Sequence, residues 1–113
     1  MSTSAVTTHV LDTTRGRPAP GVPVTLARID ADISTVVGVG KTDADGRCAG
    51  LAAPSLQPGT YRLTFDTAAY FAATGQSGFF PEVAVSFLLD DAGRHVHVPL
   101  LLSPFAYSTY RGS

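Results

Sequence analysis

Three histidines, one arginine and a cluster at the C-terminus are the residues of this chain whose types and spacing could do chemistry. His9 stands in TTHVLD, Arg47 follows the turn TDADG, His95 and His97 are two apart in HVHVPLLL, and Tyr110, Arg111 and Ser113 close the chain in TYRGS. A neutral imidazole can take up a proton and return it near pH 7. A guanidinium offers several donors in one plane, and donors aimed at a developing oxyanion stabilise it. Together the set could transfer a proton and stabilise a developing negative charge. Each member also has a plainer reading: a strand histidine is usually hydrogen-bonded or at the surface, Arg47 is a solvated charge at a hairpin edge, and Asp43 and Asp45 belong to the turn.

The same residues also admit metal chemistry. His95 and His97 could share one metal ion with a third histidine, an open three-histidine zinc site. Only three histidines exist and Cys48 should point away from Arg47, so the metal-free reading is preferred and no cofactor is expected. Asp43, Asp45 and Gly46 match part of a calcium loop, but the later acidic ligands are absent.

Strands must position these groups. Side chains alternate along a strand, so Val96, Val98, Leu100 and Leu102 share one face while His95, His97, Pro99 and Leu101 share the other. Both faces are largely apolar, which predicts a second protein surface, another subunit, over the histidine face. Runs rich in Val, Leu, Thr, Tyr and Phe between Gly, Pro and Asp clusters predict an all-β, two-sheet antiparallel sandwich. The strands are expected at 5–11, 22–29, 34–41, 47–51, 59–66, 82–88, 95–102 and 106–110. Thr67 to Thr74, after Asp66 as N-cap and before Gly75, predicts one short helix. RGRPAPG at 15–21 reads as a turn. Val22, Val24, Leu26, Tyr61, Leu63 and Phe65 are expected in the core, and no linker divides residues 1–113, so one domain is expected.

Composition narrows the partners. Eight basic against nine acidic residues, with no basic run, leave no footprint for nucleic acid or an anionic membrane. No apolar run approaches the roughly 20 residues of a membrane span. The single cysteine and the lack of a secretory signal at 1–11 suit a reducing cytoplasm.

THVLDTTRGRPA at 8–19, GKTDADGR at 40–47 and HVHVPLLLSPFAYSTYRGS at 95–113 resemble the 5-hydroxyisourate hydrolase family, transthyretin-related enzymes of urate breakdown. DTAAYFAATGQSGFFPEV at 66–83 resembles the family's helix and following strand. The terminal YRGS separates this family from transthyretin itself, which lacks both it and the histidines. Val96 and Phe105 depart from the family's usual aromatic residue and Tyr or Trp. The resemblance implies a transthyretin-like sandwich, a homotetramer built as a dimer of dimers, and a site in the channel between dimers. It implies catalytic roles for His9, Arg47, His97 and Tyr110, with Leu11, Pro99, Leu101, Ser108, Arg111 and Ser113 also toward substrate. The implied reaction opens 5-hydroxyisourate at its N1–C6 amide to give 2-oxo-4-hydroxy-4-carboxy-5-ureidoimidazoline. His95 stays outside this set. A transthyretin-like small-molecule carrier and a non-catalytic interaction module are the alternatives; neither needs the histidines.

Overall fold

The computed structural model describes residues 4–90 and 94–112. The elements run β1 (Val6–Asp12), β2 (Arg17–Pro18), β3 (Pro23–Asp30), β4 (Ile33–Lys41), β5 (Gly59–Phe65), α1 (Thr67–Ala73), β6 (Val83–Leu89), β7 (Val96–Leu102) and β8 (Tyr107–Thr109). They form two four-stranded sheets, ordered β2-β1-β7-β8 and β4-β3-β5-β6.

Alternation decides which residues lie between the sheets. Along β1, Val6, Thr8, Val10 and Asp12 are buried while Thr7, His9 and Leu11 are half-buried. The expected core residues Val22, Val24, Leu26, Tyr61, Leu63 and Phe65 are all buried, joined by Val96, Val98, Leu100 and Leu102 from β7. Two polar side chains on the inner face of β1 are satisfied locally, as burial requires. Thr8 Oγ1 donates to the Val98 carbonyl at 2.6 Å. The Asp12 carboxylate accepts from Tyr70 Oη at 2.6 Å and Gln76 Nε2 at 3.1 Å, and from the amides of Thr14 and Arg15. That carboxylate ties α1 to β1. The helix begins as expected, with Asp66 capping the Ala69 amide at 3.0 Å.

Three features differ from the sequence reading. β1 and β7 pair in parallel, the only such pair among the described strands, whereas an antiparallel arrangement was expected throughout. Hydrophobic alternation reports which face a residue occupies and is silent on the direction of the neighbouring strand. Residues 47–51 form no strand: Gly46 and Gly50 take φ of 77° and 68°, and only Arg47 bridges to β1. Such φ values turn the chain out of the extended form that a ladder requires. The turn at 15–21 holds the two-residue strand β2, which pairs with the end of β1. The last strand is shorter than expected, ending at Thr109, although Gly112 still bridges to His97 in the same register.

Candidate active site

The parallel pairing of β1 with β7 sets Thr7 beside His97, His9 beside Pro99 and Leu11 beside Leu101. All six face away from the core, so two segments far apart in sequence lay their polar groups on one surface. Arg47 reaches it from the loop after β4. Asp43 shapes that loop: its carboxylate accepts from the amides of Asp45 at 2.9 Å and Arg47 at 3.0 Å. The Val10 amide donates to the Gly46 carbonyl at 2.7 Å, and Arg47 then bridges to His9. Gly46 must be glycine here, because a Cβ on it would lie 2.4 Å from the Val10 carbonyl oxygen.

Hydrogen bonds fix the rings. His9 Nε2 lies 2.8 Å from the Asp45 carbonyl oxygen. A carbonyl can only accept, so Nε2 carries the proton and a neutral His9 presents Nδ1 to the surface. The Thr7 hydroxyl lies 2.8 Å from His97 Nδ1 and 2.7 Å from His95 Nε2. His97 therefore commits Nδ1 to β1 and keeps Nε2 for the site. Burial, then the charges of Arg47, His95 and His9, hold His97 below the ordinary histidine pKa. The shift favours the neutral ring. Gly112 completes the frame: its amide donates to the His97 carbonyl at 2.8 Å, and a Cβ there would lie 2.5 Å from His97 Cδ2.

The remaining expected site residues divide. Leu11 and Leu101 lie half-buried on the same face as the histidines, and Ser108 joins them opposite Leu101. Pro99 is on this face too but is buried within the single chain, so it forms floor rather than open surface. Tyr110 is exposed where the register of β8 carries it beside Pro99. Arg111 is placed differently from the expectation: with Gly112 turned to His97, alternation sends Arg111 the other way. It lines a groove of about 380 Å³ at the open edge of the sandwich, with Val85, Phe87, Val96, Val98 and Tyr110. Ser113 lies outside the described residues. Gly112 belongs to the terminal segment that the resemblance implies, whereas Thr7 is outside the expected set; the signal for Thr7 is its position two before His9 on the same face. A cleft of about 220 Å³ lined by Thr7, Thr8, Asp43, Arg47, Cys48 and Ala49 lies between β1 and the loop after β4. Among the described residues no three His, Cys, Asp or Glu side chains are grouped to hold a metal.

Comparison with known proteins points the same way. A 5-hydroxyisourate hydrolase of Mus musculus is 48% identical over 113 residues, covering 97% of this chain and 96% of that one. The one from Deinococcus radiodurans is 46% identical over 96% of this chain and 95% of its own. Among solved structures, Klebsiella pneumoniae 5-hydroxyisourate hydrolase superposes with a TM-score of 0.85 at 39% identity, covering all of both chains. Sea bream transthyretin in complex with thyroxine superposes at 0.89 with 33% identity, over 96% of this chain and 94% of that one. The model of the HIUase/Transthyretin family matches residues 6–112. On that match, and on relatives nearly half identical from end to end, this chain belongs to the HIUase/transthyretin family.

Proposed function

We propose that the chain hydrolyses 5-hydroxyisourate in urate breakdown, opening the six-membered ring at the N1–C6 amide. The observation that carries this reading is the meeting of His97, His9 and Arg47 on one face, with His97 Nε2 and His9 Nδ1 the ring nitrogens left for a ligand. In the proposed reaction His97 Nε2 takes a proton from water as its oxygen bonds to C6. The Arg47 guanidinium steadies the oxyanion, the C6–N1 bond breaks, and N1 leaves with the proton returned by His97. The product is 2-oxo-4-hydroxy-4-carboxy-5-ureidoimidazoline. His9 orients the substrate edge, and Tyr110, Ser108, Leu11 and Leu101 bound the pocket.

The 113 residues act as one domain in this reading, in the cytoplasm and as a homotetramer. Among the described residues no helix is long and apolar enough to cross a membrane. Two observations support association: β6 and β8 are sheet edges flanking one apolar groove, and Leu88 at that edge is 77% exposed. A second pair would cover the β1–β7 face.

The test generates 5-hydroxyisourate from urate with urate oxidase and follows its ultraviolet decay. Decay faster than the uncatalysed rate is expected with the parent protein and not with His97→Asn. Decay at the uncatalysed rate by a tetrameric parent would sink the reading and favour a small-molecule carrier.

A further inference from the structure

We infer that Thr7 is a positioning residue whose hydroxyl relays a proton between His95 and His97, so that the protonation of His95 selects the tautomer of the working histidine. This rests on the hydrolase reading above for its functional meaning, but its physical content does not.

Donor arithmetic carries the argument. A hydroxyl has one proton to give and lone pairs to accept with. Thr7 Oγ1 lies 2.7 Å from His95 Nε2 and 2.8 Å from His97 Nδ1, both hydrogen-bond distances. Oγ1 can donate to only one of these nitrogens, so the other must carry a proton and donate into it. Two arrangements satisfy the triad. In one, His95 Nε2–H donates to Oγ1 and Oγ1–H donates to His97 Nδ1, which puts the proton of a neutral His97 on Nε2. In the other, His97 Nδ1–H donates to Oγ1 and Oγ1–H donates to His95 Nε2, which leaves a lone pair on His97 Nε2. Interconversion along the triad passes the Nδ1 proton to Oγ1 as the hydroxyl proton passes to His95 Nε2. His95 then releases its Nδ1 proton to solvent while His97 Nε2 takes one up from solvent, so the proton count balances.

The consequence is a lock. Only the second arrangement leaves His97 Nε2 able to accept a proton from water. A doubly protonated His95 must donate from Nε2, which forces the first arrangement and blocks the base. His95 is exposed while His97 is half-buried, so the solvent-facing ring reports pH to the inner one. The two rings stack at 6.4 Å between centroids with 26° between planes, and both reach the same hydroxyl. The other charged and titratable groups facing His97 are Arg47 from the loop after β4 and His9 from β1, and Gly112 from the last segment brings only backbone. None of them contacts Nδ1. His95 lies outside the set inferred from the resemblance, and this relay assigns it a part.

The experiment uses the full chain labelled with ¹⁵N in its histidines, reading the ring nitrogens of His97 by NMR across a pH titration, together with the pH profile of turnover. In the parent protein the His97 tautomer is expected to change from Nε2–H to Nδ1–H as His95 loses its second proton. Thr7→Val keeps the β-branched shape on β1 but removes the hydroxyl, and Thr7→Ser restores it. Thr7→Val is expected to uncouple the His97 tautomer from His95 and to lower kcat by roughly 10 to 100-fold with KM held, by analogy with the loss of an outer partner that orients a metal-ligating histidine. Thr7→Ser is expected to recover both. The acid limb of log kcat should fall with a slope of about two in the parent and about one in His95→Phe, because two rings must be unprotonated for one base. A His97 tautomer that ignores His95 in the parent protein would overturn the relay even if turnover is fast. Absent turnover with coupled tautomers would leave the relay standing and sink only the hydrolase reading.

Discussion

Placing one methyl group at position 112 tests whether the last described residues set the position of the working histidine. The Cβ of Gly112→Ala would lie 2.5 Å from His97 Cδ2, 3.2 Å from Cγ and 3.3 Å from Cβ. Carbon atoms in contact prefer about 3.5–4.0 Å, so ring and backbone must part by about an ångström. The ring is tethered through Nδ1 to Thr7 at 2.8 Å, and the segment through the Gly112 amide to the His97 carbonyl, also at 2.8 Å. Whichever tether yields, Nε2 moves against Arg47 and His9. A misplacement of that size costs roughly 10²-fold in rate, which corresponds to about 2.7 kcal/mol of lost transition-state stabilisation. The backbone φ at 112 is not in the left-handed region and the residue is only half-buried, so global stability should change by less than about 1 kcal/mol. The assay pairs kcat/KM from 5-hydroxyisourate decay with a urea melt on the same preparation. Turnover within about twofold of the parent, in a protein that melts normally, would refute the reasoning, because the contact would then not hold the ring.

Arg47→Gln removes a positive charge that helps hold His97 below its ordinary pKa, so that pKa should rise and the acid limb of kcat/KM should move to higher pH. An unmoved limb would mean that the guanidinium does not act on His97. Tyr70→Phe removes the hydroxyl that donates to Asp12 at 2.6 Å. Burial raises the Asp12 pKa, but hydrogen bonds from Tyr70, Arg15, Gln76 and Thr14 outweigh it and leave the pKa below the usual value, while Tyr70 is pushed up to about 12. A lowered carboxylate pKa gives stability that is present above the unfolded value and lost as pH falls through the folded one. Tyr70→Phe should therefore cost roughly 1.5–3 kcal/mol at neutral pH and less in acid, read by urea unfolding at both. A deficit that does not shrink in acid would show that the carboxylate is not its source.

How far the site was legible depends on which physical rule each residue obeys. His9 and His97 stand out because an ionisable ring on an otherwise apolar strand face conflicts with the alternation around it. The inner faces of β1, β3, β5 and β7 follow from that same alternation. Arg47 was identified on a strand that does not exist: its place is set by the positive φ of Gly46 and by the Asp43 carboxylate holding the turn, and both are turn chemistry. Thr7 escaped notice because its importance comes from the parallel register with β7, a relation between segments some ninety residues apart. Arg111 was placed with the histidines by resemblance, although alternation from Gly112 sends it to the opposite side.

The parallel pair at the middle of the β2-β1-β7-β8 sheet also governs how the molecule is made. Parallel neighbours cannot be joined by a tight hairpin, so β1 must wait for β7, whereas the other sheet contains the β3–β4 hairpin and a β5–α1–β6 connection that span far shorter stretches of chain. Joining ends so distant along the chain slows folding toward the millisecond-to-second range typical of non-local β topologies. The face bearing Thr7, His9 and His97 is therefore complete only when the first and seventh strands meet.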